Sequence, residues 1–242
     1  WDVWQRLNHV SPDGIASTLQ SAFKPDVAWH GPHPINEQHG LDNLVTGFWD
    51  PLRQSFPDLK RTCDIFVGGQ SEGEDWVTGT GYFTGTFAQN WLGIPATGEK
   101  TYIRFGQFYV MQDEKISESY LILDVLDVAR QAGFQLLPPA RGAEGGRVPP
   151  PRTHDGLILV EQDEHESQKT IQLVMAMLGG MSRYDGKNLA SMEQKHYWHP
   201  QFHWYGPSGI GSVPAPISFH GPSRSSPPHV EFCSSLTPSP RS

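Results

Sequence analysis

From residue 57 to residue 123 the chain keeps to strand-forming patterns, and mostly short polar turns interrupt them. Residues 59–68 alternate weakly, 76–87 are rich in Thr, Gly and aromatics, 101–111 alternate clearly, and 116–123 form a further strand. Residues 69–75 form a polar turn and Gln112-Asp113-Glu114-Lys115 a tight one, while 90–100 form a loop. Four strands joined in this way pair as an antiparallel meander. Because the helical segments lie before and after this block, the arrangement is α+β. Gly79, Gly81 and Gly85 supply bends in the longest strand, so the sheet curves. The expected fold is a curved antiparallel sheet wrapped around helices, with a concave interior suited to a small ligand.

The helical signals are specific. Residues 1–23 read as helix, broken at Ser11-Pro12-Asp13-Gly14, where Ser11 is a good N-cap and Pro12 suits the first helical position. Ile15, Leu19 and Phe23 then recur at helical spacing, and Pro25 ends the helix ahead of a short strand over 26–30. After a loop over 31–40, residues 41–56 carry one apolar stripe of Leu41, Leu44, Val45, Phe48, Trp49 and Leu52, with Pro51 positioned to kink or divide it. Residues 124–132 form a closing helix ended by Gly133.

Beyond residue 137 the character changes. Residues 138–166 are rich in Pro, Gly, Arg and acidic groups and read as a linker, within which 157–160 can form a short strand against either neighbour. Residues 167–184 are helical again, through Ile171, Val174, Met175 and Leu178. A repeat follows: Pro25-Asp26-Val27-Ala28-Trp29-His30-Gly31-Pro32 and Pro200-Gln201-Phe202-His203-Trp204-Tyr205-Gly206-Pro207 share Pro, Trp, Gly and Pro at the same spacing. This predicts that 167–212 begin a second, incomplete copy of the domain formed by 1–137. Residues 213–242, dominated by Ser and Pro, read as a disordered tail that arises by truncation or frameshift, or as a tail in its own right.

The formal net charge of −8, without a Lys/Arg block, argues against nucleic acid or an anionic membrane as partner. No apolar run reaches the ~20 residues of a spanning helix, and no signal peptide opens the chain, although it starts at Trp1 rather than Met. The expectation is a cytoplasmic protein. The two cysteines, Cys63 and Cys233, form neither a disulfide framework nor a metal motif. Nucleophile-elbow and phosphate-loop patterns are missing as well.

Several motifs in order give a family resemblance: His30-Gly31-Pro32-His33-Pro34-Ile35-Asn36, Gly47-Phe48-Trp49-Asp50-Pro51-Leu52-Arg53, Phe56-Pro57-Asp58, Gly93-Ile94-Pro95-Ala96-Thr97-Gly98 and Lys115-Ile116-Ser117-Glu118-Ser119-Tyr120. Over residues 1–137, and faintly over 168–212, the chain resembles the SnoaL-like polyketide and ester cyclases. The resemblance implies the nuclear transport factor 2-like, cystatin-like fold: a cone-shaped curved antiparallel sheet wrapped around helices and closing towards an α+β barrel. It also implies an intramolecular aldol closure of a polyketide ester or a related isomerisation, on a small hydrophobic substrate such as a polycyclic one, without metal or organic cofactor. A non-catalytic ligand-binding or dimerisation module of the same fold is the alternative, since fold transfers better than reaction. Pairing through the open sheet into a homodimer goes with either reading.

Asp124 matches the place of the family's strand-end acid/base, and desolvation at a pocket wall would suit it to that work. It equally suits an N-cap for 125–132. By period two, Glu118, Tyr120, Ile122 and Asp124 share a face, which puts Glu118 and Tyr120 on the same pocket wall as candidates for binding substrate. His30 and His33 are candidates for moving protons or binding an enolate oxygen, or are loop histidines packed beside Trp29; with His39 they also resemble a weak metal cluster, which lacks a supporting carboxylate. Trp29, Trp76, Tyr82 and Trp91 are candidates for stacking on a flat substrate, or are ordinary core. On 101–111, Arg104 either points inward to hold an ester or carboxylate, or faces solvent and leaves Gln107 and Tyr109 as the inward pair.

Overall fold

The computed structural model describes residues 1–150, 155–199, 202–214, 217–219 and 230–232. The chain forms two compact units, Trp1–Pro138 with Gly145–Leu159, and Pro139–Glu144 with Val160–Ser242.

The first unit opens with helices α1 (Asp2–Leu7) and α2 (Ile15–Gln20), then strands β1 (Phe23–His30) and β2 (Glu37–His39). Helix α3 (Leu41–Leu44) continues through a π turn (Val45–Trp49) into α4 (Asp50–Ser55). Pro51 has no N–H to give to the preceding turn, and the widened turn just ahead of it lets the helix run on undivided. Strands β3 (Lys60–Ser71), β4 (Glu74–Thr86), β5 (Lys100–Gln112) and β6 (Lys115–Leu123) follow, then helix α5 (Val125–Gln131). The six strands form one sheet in the order β2-β1-β6-β5-β4-β3.

The long strands pair antiparallel as expected, but β1 lies parallel to β6, so the sheet is mixed rather than antiparallel. It is also open: β2 and β3 are its two edges, and it does not close into a barrel. Strand β1 starts at Phe23 and runs through Pro25, where the alternating pattern alone placed a helix end. The strand tolerates that proline because its register on β6 skips between Phe23 and Ala28, where no ladder N–H is needed. Curvature is visible at Gly81, opposite a bulge in β3 between Cys63 and Ile65: a Cβ there would lie 2.0 Å from the Thr62 carbonyl oxygen. Only a glycine lets the two backbones approach so closely.

The concave face and the helices enclose an aromatic core. Trp4, Phe23, Trp29, Phe48, Trp49, Phe56, Phe83, Phe87, Trp91, Phe105 and Tyr109 are all buried in it or against it. Each large apolar side chain contributes about 1.5–3 kcal/mol by leaving water, so this core is the main support of the sheet's curvature. Residues 145–159 belong to the same unit. The Phe66 N–H donates to Gly156 O at 2.8 Å, and Ile158 N–H donates to Phe66 O at 2.8 Å. Arg147 pairs with Asp64 at 2.7 Å. This segment covers part of the β3 edge, which would otherwise expose unpaired backbone groups.

The second unit is built on helix α6 (Glu164–Met181), capped by Asp163. Ile171, Val174, Met175 and Leu178 on it are exposed. Gln194 reaches back to Met177 O at 3.1 Å, and Trp198 stacks on Phe202 at 4.8 Å. Short strands β7 (His203–Trp204) and β8 (Val213–Pro214) pair antiparallel, as do β9 (Ile217–Phe219) and β10 (Val230–Phe232). Much of the segment expected to be a disordered tail, and Pro200-Gln201 of the repeat, lies outside the described residues. Among the described residues no helix is long and apolar enough to cross a membrane.

Candidate functional site

Strand parity sorts the candidate residues onto two faces. On β5, Ile103, Phe105, Gln107 and Tyr109 turn into the core, while Tyr102, Arg104, Gly106 and Phe108 face outward. On β6, Ser119, Leu121 and Leu123 turn inward, and Glu118, Tyr120 and Ile122 face outward, Ile122 being 64 % exposed. The face carrying Glu118 and Tyr120 is therefore the outer face, whereas the pattern placed it on a pocket wall.

The inner face holds a small polar set in aromatic surroundings. Gln107 Nε2 donates to Ser119 Oγ at 3.1 Å, both side chains being buried. Arg61, at an inward position on β3, is only 5 % exposed. Its guanidinium carbon lies 4.2 Å from the Trp4 ring centre and 4.4 Å from that of Phe105. Its Nη2 donates to the Tyr109 hydroxyl at 3.2 Å, while Nε and Nη1 are buried without an acceptor. Burial pushes the Tyr109 phenol far above its ordinary range, and nearby Arg61 opposes this only in part. Tyr109 is thus a neutral hydrogen-bonding group. Sequence reasoning named Gln107 and Tyr109 and missed Arg61, Ser119 and Trp4. The available signal was an arginine two residues from Leu59, at apolar parity in a strand that alternates weakly.

On the outer face the structure brings together His30, Glu118, Tyr120 and Trp76. His30 Nε2 lies 2.8 Å from Glu118 Oε1, and its Nδ1 lies 3.4 Å from Glu37. The Tyr120 hydroxyl donates to Glu118 at 2.6 Å, its ring stacks on His30 at 4.5 Å, and Trp76 stacks on Tyr120 at 6.4 Å. The Tyr120 hydroxyl first, and His30 second, hold the Glu118 carboxyl below its usual value; the same bond raises the Tyr120 phenol. The group is a solvated, mutually satisfied array.

A second outer array joins Tyr82 and Arg104. The guanidinium donates to the Tyr82 hydroxyl from Nη2 at 2.9 Å and from Nε at 3.2 Å, and the Val148 N–H donates to the same hydroxyl at 3.1 Å. Asp124 begins α5: its Oδ1 accepts from the Asp127 N–H at 3.1 Å, and its own N–H donates to Arg104 O at 3.1 Å. The remaining candidates stand apart. His33 sits in the β1–β2 loop with Asn36 Oδ1 at 3.3 Å. Trp29 packs on Phe48 at 4.9 Å, and Trp91 packs edge-on against Phe56 at 5.8 Å. Among the described residues, the grouping with metal-ligating atoms close together is Asp163, His165 and Glu166. All three are exposed, and Asp163 and Glu166 are engaged in the cap and ion pair of α6.

Chemically, the inner face offers donors for an oxygen bearing partial or full negative charge, set among flat rings. The family model for SnoaL-like polyketide cyclases matches residues 2–132. No curated protein matches the chain. Among solved structures, IdmH from Streptomyces antibioticus is 23 % identical, covering 55 % of this chain and 97 % of its own, with a TM-score of 0.45. TsrD from Streptomyces laurentii is 20 % identical over 55 % and 92 %, with a TM-score of 0.43. A SnoaL-like polyketide cyclase from Agrobacterium tumefaciens is 19 % identical over 54 % and 94 %, with a TM-score of 0.41.

Proposed function

This chain belongs to the SnoaL-like polyketide cyclase family, and we propose that its first unit is a cofactor-free cyclase or isomerase that takes a small hydrophobic carbonyl compound into the concave face of the sheet. The observation that carries this reading is the buried Gln107–Ser119 pair in an interior that is otherwise apolar and rich in aromatic rings, Arg61 apart. Buried amide and hydroxyl groups cost stability unless they serve a bond, and in this reading the pair polarises a substrate oxygen as well as bonding each other. In the proposed reaction a base removes a proton α to a carbonyl. The resulting enolate carbon forms a bond to a second carbonyl carbon of the same molecule, and the new alkoxide takes up the proton. Asp124, at the end of β6, is the proposed base, with the outer-face His30 or His33 in the loop as further proton carriers.

The test is incubation of the full chain with a poly-β-keto ester, following the cyclised product by mass and ultraviolet absorbance. Gln107→Leu should lower kcat/KM by about tenfold or more, the scale of one oxyanion donor or less, with the fold intact. An unchanged rate in that variant removes the inner face from the reaction.

One observation favours a second reading, a binding module without turnover. Asp124 is engaged as the cap of α5, and Asp127, a buried carboxylate beside it in the chain, is held by Arg130 and Gln131. Tight binding of a flat phenolic ligand with no product would select it. The exposed Phe108, Tyr120 and Ile122 on the outer face support pairing of two copies through the sheet, which sedimentation of the wild type against Ile122→Asp would decide. The shared Pro, Trp, Gly and Pro spacing supports reading 167–212 as an incomplete second copy of the 1–137 domain, joined to it through 138–166, of which 145–159 pack with the first unit, and followed by 213–242 as tail.

A further inference from the structure

We propose that Arg61 is the anchor of an anion subsite inside the first unit, and that the ligand taken there carries a planar carboxylate. A guanidinium keeps its charge under all ordinary conditions and presents its donors in one plane. Arg61 is almost wholly buried, yet among the described residues no acidic side chain pairs with it, and two of its three nitrogens find no acceptor. Buried charges in proteins are paired or ligand-bound, because an unmatched one carries a large desolvation penalty. The contacts with Trp4 and Phe105 offset part of it through the ring quadrupoles. They do not use the N–H groups, which point out of the edge of the guanidinium plane.

That geometry selects the ligand. An oxyanion meeting the edge lies near the plane of the guanidinium, beside the rings of Trp4 and Phe105, so a flat carboxylate fits better than a tetrahedral phosphate or sulfate. Tyr109 strengthens the match: its oxygen accepts from Nη2, it stays protonated because it is buried, and its own hydrogen can be donated to the same anion. The Gln107–Ser119 pair lies on the adjacent part of the sheet, Ser119 being the register partner of Tyr109. A substrate acid anchored at Arg61 would therefore be held by its charge at one end and by hydrogen bonds further along. The subsite stands on Arg61 itself; only the identification of its ligand with a substrate rests on the reading under Proposed function.

The experiment is titration of the full chain with 1-hydroxy-2-naphthoate and with its methyl ester, followed by fluorescence and by the Arg61 Nε–Hε signal in NMR. The wild type should bind the carboxylate more tightly than the ester by about tenfold or more, the scale of a charge-assisted hydrogen bond, and only the carboxylate should shift the Arg61 signal. Arg61→Met should abolish the preference while leaving ester binding within about twofold; Arg61→Lys, which keeps a charge without the planar fork, should keep a smaller preference. Equal affinity for both probes, binding of neither, or a preference that survives Arg61→Met overturns the proposal. Because no turnover is read, a chain that prefers the carboxylate but cyclises nothing sinks the catalytic reading and leaves the subsite standing. One that cyclises an ester without the preference does the reverse.

Discussion

Replacing Arg61 with methionine should make the protein more stable, which is unusual for a change in the centre of a core. Methionine matches most of the length of arginine and fills irregular space, so no large cavity opens. What is lost is one hydrogen bond to Tyr109, about 1 kcal/mol, and two ring contacts of about 0.5–2 kcal/mol each. What is relieved is the burial of a charge with two unmatched nitrogens, several kcal/mol even after relaxation. Replacing buried ionic groups by apolar ones is often stabilising by about 1–4 kcal/mol. The unmatched Tyr109 hydroxyl takes back about 1 kcal/mol or more. The net is a gain of up to about 3 kcal/mol, or up to about 12 °C in Tm for a chain of this size. Arg61→Met/Tyr109→Phe, which removes both partners together, should gain further. Thermal and urea denaturation followed by near-ultraviolet circular dichroism read this directly. A loss of more than about 1 kcal/mol in the single variant would mean that the guanidinium is well satisfied where it lies, and the argument for an anion subsite would fall with it.

At Asp124, the alanine variant should lose about 0.5–2 kcal/mol because the Asp127 N–H loses its acceptor, while the asparagine variant, still a good cap, should lose only a few tenths. If Asp124 is also the base, the asparagine variant nonetheless loses about a hundredfold in turnover; equal stability of the two variants by urea titration would deny the cap. Glu118 is held below its ordinary value of 4.5, so its contribution to stability is present above that pH and is lost as pH falls through the lower folded value. Tyr120→Phe removes the largest cause, so the Glu118 carboxyl should titrate at higher pH by NMR and its pH-dependent contribution to stability should shrink; an unmoved titration contradicts the assigned cause. A fragment of residues 1–159 should melt higher than one of 1–137, since only the longer keeps the Arg147–Asp64 pair and the backbone bonds at Phe66, and equal melting would make that segment a passive passenger.

The local pattern revealed the elements well and their partners poorly. On β5 the alternation of Ile103, Phe105, Gln107 and Tyr109 is strict enough to fix both its strand character and its inner face. The helix over 41–55 was legible from its stripe, and its continuity through Pro51 was not, because a π turn has no distinct residue signature. The parallel pairing of β1 with β6 joins segments almost a hundred residues apart, and nothing in either strand names the other. Parity on β6 was read correctly as a grouping and assigned to the wrong side. Residue type alone sends Tyr120 and Ile122 inward and Ser119 outward, yet Ser119 is the buried one, because Gln107 across the ladder offers it a hydrogen bond.

Set side by side, the two faces of the sheet differ in how completely their polar groups are matched. Outside, His30 has Glu118, Glu118 has Tyr120, and Arg104 has Tyr82, which also receives Val148. Groups paired in this way need no further explanation than the bonds they make, and the partial exposure of several makes each bond worth little to stability. Inside, Gln107 and Ser119 bond one another, Tyr109 accepts one bond, and Arg61 keeps two nitrogens unmatched although it is buried. A fold that only needed to be stable would place the unmatched charge where water can reach it, and the matched pairs where water cannot. The opposite distribution is what a binding interior requires, because a donor already spent on the protein has nothing left for a ligand. The polar contacts of a ligand are therefore better sought around Arg61, Tyr109, Gln107 and Ser119 than at the more conspicuous histidine and carboxylate of the outer face.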